Sequence, residues 1–219
     1  MDKVLDFLTD LSVNNNREWY NANKKRYEES REKILFLTDV LINEIRKFDS
    51  EIPALAPKDC VFRIFRDVRF SNDKRPYKTN FGAFIAKGGR KSMNAGYYFH
   101  IDPAGSFAGG GVYMPPAEPL KAIREYIAEN GEEFIDIIQD KNFRKIYPEM
   151  MDDKLKTNPK GFSKDHEFID LLRYKSFVFS NQFSKAQVSA NNYIELLVQS
   201  FKTLHPVNRF LNAALDKNL

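Results

Sequence analysis

The sequence predicts an α+β fold: a central antiparallel sheet of about four to five strands, flanked by long N-terminal and C-terminal helices. Three observations predict it. Apolar residues recur at helical spacing before residue 48 and again after Pro115-Pro116. Between them the spacing changes to short aromatic and β-branched runs separated by Gly-containing turns. No internal repeat, low-complexity tract or linker-like shift in composition interrupts residues 1–219, so the expectation is one domain spanning the chain.

Taken in order, Val4, Leu5, Leu8 and Leu11 mark a short amphipathic helix over 3–12. Asn14-Asn15-Asn16 interrupts it, and Asn15 with Glu18 has the spacing of a capping box. The helix it opens runs to about Phe48, with Tyr27, Ile34, Leu37, Leu41 and Ile45 on one face. Pro53 and Pro57 mark a loop. Strands are predicted at Phe62–Phe65, Phe81–Ala86, Tyr97–Ile101 and Ser106–Met114, with turns at Gly88-Gly89 and Asp102-Pro103-Ala104-Gly105. Short connections imply an antiparallel meander. Leu120, Ile123, Tyr126 and Ile127 give a helix that Gly131 breaks, and Phe134, Ile135 and Ile138 give another. Asn158-Pro159-Lys160-Gly161 is a turn, followed by a short helix near 166–174 and a last strand at Phe177-Val178-Phe179. Ser184 and Gln187 form a second capping-box pattern, opening a C-terminal helix that Pro206 ends or kinks, with Val207, Phe210, Leu211 and Ala214 resuming its apolar stripe.

Composition bounds the classes. Hydrophobic residues are 42% and charged residues 29%, which excludes a disordered chain. The lone cysteine, Cys60, rules out an internal disulfide and suits a reducing compartment. No signal-peptide pattern and no run approaching a membrane span is present, so the expectation is a cytoplasmic protein with no membrane partner. Net charge is only +4, yet Arg63 to Lys91 holds nine basic and two acidic residues. A basic excess this local points to one anionic partner site rather than a body that coats nucleic acid.

Within that window Arg63, Arg66 and Arg69 recur every three residues, with Lys74, Arg75 and Lys78 beyond. The guanidinium fork matches phosphate or carboxylate oxygens, so such a cluster around a pocket binds an anion. The competing reading is that Arg66-Asp67 and Arg69-Asp73 are ion pairs holding a long loop. On the third predicted strand Tyr98, His100 and Asp102 share one face, an acid/base arrangement or a hydrogen-bonded structural histidine. Gly109-Gly110-Gly111 lacks the Lys-Ser/Thr of a phosphate loop and reads as a close backbone approach. His100, His166 and His205 have no ligand spacing, so no metal is expected. Cys60 and the pair Trp19 and Tyr20 read as packing residues.

The stretches Asn15-Asn16-Arg17-Glu18-Trp19-Tyr20, Phe62-Arg63-Ile64-Phe65-Arg66-Asp67-Val68-Arg69-Phe70-Ser71 running into Lys74-Arg75-Pro76-Tyr77-Lys78-Thr79, and Asn158-Pro159-Lys160-Gly161-Phe162 together resemble the bacterial domain-of-unknown-function 2461 family. The resemblance spans nearly the whole chain and implies a full-length bacterial domain. It brings no activity, cofactor or catalytic residue with it. The functional expectation therefore rests on the residues. Arg63, Arg66, Arg69, Lys74, Lys78 and Tyr98 form an anion-recognising site for a small molecule, with His100 or Tyr77 contacting or protonating it and no cofactor required. The alternatives are a nucleic-acid-binding module and an interaction protein whose arginines are struts.

Overall fold

The computed structural model describes residues 1–217. Helix α1 (Asp2–Val13) buries Val4, Leu5, Phe7, Leu8 and Leu11. The predicted second helix is two. The Asn16 side chain, rather than Asn15, accepts from the Trp19 amide at 2.9 Å and caps α2 (Arg17–Ala22). Asn23 breaks the run before α3 (Lys24–Ile45), which buries Ile34, Leu37, Leu41, Ile42 and Ile45. Asn15 does something else: its amide takes both the N–H and the C=O of Tyr77, at 3.1 and 3.0 Å. The amide of Asn15 thereby satisfies two backbone groups that have no ladder of their own. A short helix α4 (Pro57–Cys60) starts with proline, whose fixed φ suits the first turn.

The sheet has four antiparallel strands in sequence order: β1 (Phe81–Ile85), β2 (Gly96–Ile101), β3 (Ser106–Val112) and β4 (Phe177–Phe183). A 3₁₀ turn at Gly89–Lys91 lies between β1 and β2. Phe62–Phe65, expected as a strand, is not one. Phe62 N–H donates to Gly82 at 2.9 Å, and then the chain leaves the β1 edge and folds on itself, Arg66 N–H to Pro76 and Lys78 N–H to Ile64. Its pairing is split between two partners, so only isolated bridges form at Val61 and Phe65.

The expected break is present at Asn130, whose φ of −129° and ψ of 27° are non-helical and divide α5 (Ala117–Gln139) into two helical stretches; the adjacent Gly131 packs against the Phe168 ring. Then come α6 (Lys141–Ile146) and α7 (Ile169–Leu172). The Ser184/Gln187 capping box is present but opens the five-residue α8 (Lys185–Ser189). The long C-terminal helix α9 (Tyr193–Asp216) runs through Pro206 without ending. Leu197, Phe201, Leu204, Val207 and Leu211 of α9 are fully buried. That helix packs on β2 and β3 and against α3 and α5. Alternation places Phe81, Ala83, Ile85, Tyr97, Phe99, Ile101 and Ala108 on the same buried face. Each such large apolar side chain stabilises the fold by ~1.5–3 kcal/mol. The opposite face carries Phe84, Tyr98, His100 and Phe107, all only partly buried. No helix among the described residues is long and apolar enough to cross a membrane.

Candidate functional site

Two adjoining cavities share lining residues, and the half-covered face of the sheet is the floor of the second. The first, about 620 Å³, is lined by six cations and no carboxylate. Arg31 comes from α3, Lys58 from α4, Arg63 and Lys78 from the folded-back segment, and Arg90 and Lys91 from the 3₁₀ turn. Arg90 is aimed by donating to the Lys58 carbonyl at 2.7 Å. Lys78 is drawn below the ordinary lysine range, chiefly by burial and then by Arg63. Its ammonium also faces the Phe62 ring at 5.5 Å.

The second cavity, about 670 Å³, shares Phe62, Lys78 and Arg90 with the first. Its floor is Tyr98, His100, Phe107 and the glycines of β3. Those glycines are there for closeness. A Cβ on Gly109 or Gly111 would overlap carbonyls of β4, one on Gly110 would overlap the Gly96 carbonyl, and Gly111 has φ +107°. The triplet is thus a close backbone approach that also leaves the floor bare.

His100 sits at the centre of a chain of polar groups. The Tyr98 hydroxyl lies 2.9 Å from Nδ1 and the Asn80 amide nitrogen 3.4 Å from it. The Asn80 amide nitrogen can only donate, which makes Nδ1 the acceptor and puts the proton of the neutral ring on Nε2, 3.7 Å from Asp102 Oδ2. Thr79 reaches the same carboxylate oxygen at 3.5 Å. Burial lowers the His100 pKa, Asp102 opposes that, and Lys78 reinforces it. Burial pushes the Tyr98 phenol up to about 12. The imidazole stacks on Phe107 at 4.8 Å. Tyr98 reaches it only because residue 82 is glycine: a Cβ there would stand 2.5 Å from the phenol oxygen.

Of the residues expected from sequence, Arg63, Lys78, Tyr98 and His100 come together in these cavities. Arg66, Arg69 and Lys74 line neither. Arg66 pairs with Asp73 at 2.6 Å and Arg69 with Asp67 at 2.7 Å, while Lys74 donates to the Val68 carbonyl. These contacts shape the tip of the loop. Tyr77 is 4% exposed and stacked on Tyr20 at 4.1 Å; it packs behind Phe65 and lines neither cavity. Sequence reading missed Arg31 and Lys58, which lie outside the basic run, and Arg90 was visible only as a charge within it. Cys60 is buried, with its thiol pushed up to about 11 by burial and then by Asp59, which fits packing rather than nucleophilic chemistry. Among the described residues no three His, Cys, Asp or Glu side chains group to hold a metal ion.

No curated protein and no solved structure matches the chain. The family described as conserved hypothetical protein (DUF2461) matches residues 3–210, almost the whole length, and includes every residue of both cavities. The chain belongs to that family.

Proposed function

We propose that this protein binds a small anionic molecule, its phosphate or carboxylate in the six-cation cavity and its body over the sheet floor. The observation that carries this is the convergence of Arg31, Lys58, Arg63, Lys78, Arg90 and Lys91 on one concavity with no acidic side chain among its lining residues. Four of the six cations are exposed and two half-buried; gathering like charges around one concavity raises their mutual repulsion, and a bound anion offsets it. The depressed Lys78 is in keeping with a cation lacking its counter-ion. A concave cluster also favours a small molecule over nucleic acid, which is tracked by a broad basic stripe. For Arg66 and Arg69 the strut reading is favoured, since both guanidiniums are engaged by Asp73 and Asp67.

The test is thermal shift and calorimetry with inorganic phosphate and acetate at fixed ionic strength. At a hundredfold excess over Kd, a ligand of the folded state stabilises by ~2.7 kcal/mol. Arg63→Ala and Arg90→Ala should abolish the shift, and Arg66→Ala should keep it. The reading fails if neither anion binds, or if Arg63→Ala and Arg90→Ala bind as the parent does.

A further inference from the structure

The anion cavity opens directly into an apolar one, and the apolar one is unfinished. Among the described residues eight large hydrophobic side chains are exposed; four of them, Met93, Tyr113, Met114 and Met151, line this single cavity. Clustered exposed apolar surface marks a binding site, whereas scattered single residues do not. Three of the four are methionines, the side chain that adapts its shape to an irregular apolar partner.

The polar groups nearby are mostly turned on one another. Ser92 donates to Asn94 at 3.2 Å, and Tyr98 and His100 are bonded together at 2.9 Å. A site built to read a nucleobase or sugar needs convergent free donors and acceptors, and this one presents few. What it offers instead is a bare glycine track along β3, with Phe107 and the methionines lining the same cavity as Lys78 and Arg90.

Resting on the anion-binding reading above, we propose that the ligand is an amphiphile: an anionic head held by Arg63, Lys78 and Arg90, and an unbranched hydrocarbon tail lying on the Gly109–Gly111 track under Met93, Met114 and Met151. Phosphate and carboxylate heads share the required chemistry, and the tail distinguishes this class from ordinary phosphorylated metabolites.

Calorimetry with inorganic phosphate and with ethyl, butyl and hexyl phosphate, at concentrations where no micelles form, tests it. Affinity should rise roughly threefold to fourfold for each methylene added. In a Met93→Ser/Met151→Ser variant, whose altered residues are both exposed, that slope should flatten while inorganic phosphate binds as before. Arg63→Ala should weaken the whole series by a common factor. Equal affinity for inorganic and hexyl phosphate overturns the tail and leaves the anion site standing. Phenyl phosphate binding more tightly than hexyl phosphate also overturns the tail, in favour of a ring. Binding of none of them, inorganic phosphate included, removes the anion site itself. A parallel arm uses vesicles containing phosphatidic acid. Binding of hexyl phosphate alone identifies a free amphiphile, and binding of both identifies a membrane source. Vesicle binding without hexyl phosphate binding is surface adsorption and overturns the proposal.

Discussion

Gly82→Ala is the sharpest perturbation of the polar chain at His100. The new methyl carbon would lie 2.5 Å from the Tyr98 oxygen and 3.0 Å from Cζ, where ordinary contact begins at 3.4 Å. The phenol must therefore retreat by about 1 Å, and its 2.9 Å hydrogen bond to Nδ1 passes beyond bonding range. Losing the bond costs ~1 kcal/mol and the crowding ~1–3 kcal/mol, offset by ~0.5–1 kcal/mol for replacing a strand glycine. The net cost of ~1–3 kcal/mol lowers the melting temperature by about 3–10 °C at this chain length. Tyr98→Phe removes the bond without the clash, and in Gly82→Ala/Tyr98→Phe the closest of the colliding atoms is gone, leaving the milder contacts of Cζ and Cε2 at 3.0 and 3.1 Å. The double variant should be more stable than the sum of the singles by ~1 kcal/mol. Because Tyr98 donates to unprotonated Nδ1, both single variants should also raise the His100 pKa, followed by NMR among only three histidines. Additive stabilities with an unmoved His100 titration would refute the assigned contact.

Other outcomes follow from the same geometry. Lys78→Met should destroy anion binding yet raise the melting temperature by about 1–3 °C at neutral pH. The folded state holds a charged lysine whose pKa burial has lowered, so the parent's deficit should fade as pH rises through the depressed value towards 10.5. Arg66→Ala should lower the melting temperature by about 1–3 °C, through loss of the Asp73 and Arg75 contacts, while anion affinity changes less than about threefold. Beneath the sheet, Tyr97 donates to Asp49 at 2.7 Å and His205 lies 3.0 Å from the same hydroxyl. Burial pushes the Asp49 carboxyl up, but hydrogen bonds from His205 and Tyr97 outweigh it, so its pKa is lowered. That stability is present above the unfolded value of 3.8 and lost as pH falls through the folded one. Asp49→Asn should flatten the acid limb of the stability curve, and Asp49→Ala should cost ~2–3 kcal/mol in urea unfolding at pH 7.

What was legible in the sequence was whatever repeats locally. Val4, Leu8 and Leu11 marked α1, and the alternation of Tyr97 to Ile101 marked β2 and put Tyr98, His100 and Asp102 on one face. Phe62 to Phe65 misled because strand-like composition does not show where the chain changes partner. Pro206 left an end and a kink open; the apolar stripe that resumes at Val207, Phe210 and Leu211 was legible, and its packing carries α9 past a helix breaker. The arginine triplet showed the same limit. Charge density located the region, but which cations converge depends on where α3, α4 and the 3₁₀ turn meet, and which of the triplet are neutralised depends on Asp67 for Arg69 and on the more distant Asp73 for Arg66. The partnership of Tyr98 with Gly82 had no sequence signal at all, because it is set by the β1–β2 register.

The segments that wall the cavities also border the two outer strands. Phe62, next to Arg63, hydrogen-bonds across to Gly82 on one side, and Met151 N–H donates to Val178 on the other. An uncovered outer strand is a template on which copies of a chain add to one another. Here the residues that shape the ligand space also shield those templates, so a variant that re-models either wall is exposed to self-association as well as to altered affinity. Deletions within 61–66 or 150–154 should therefore show first as lost solubility.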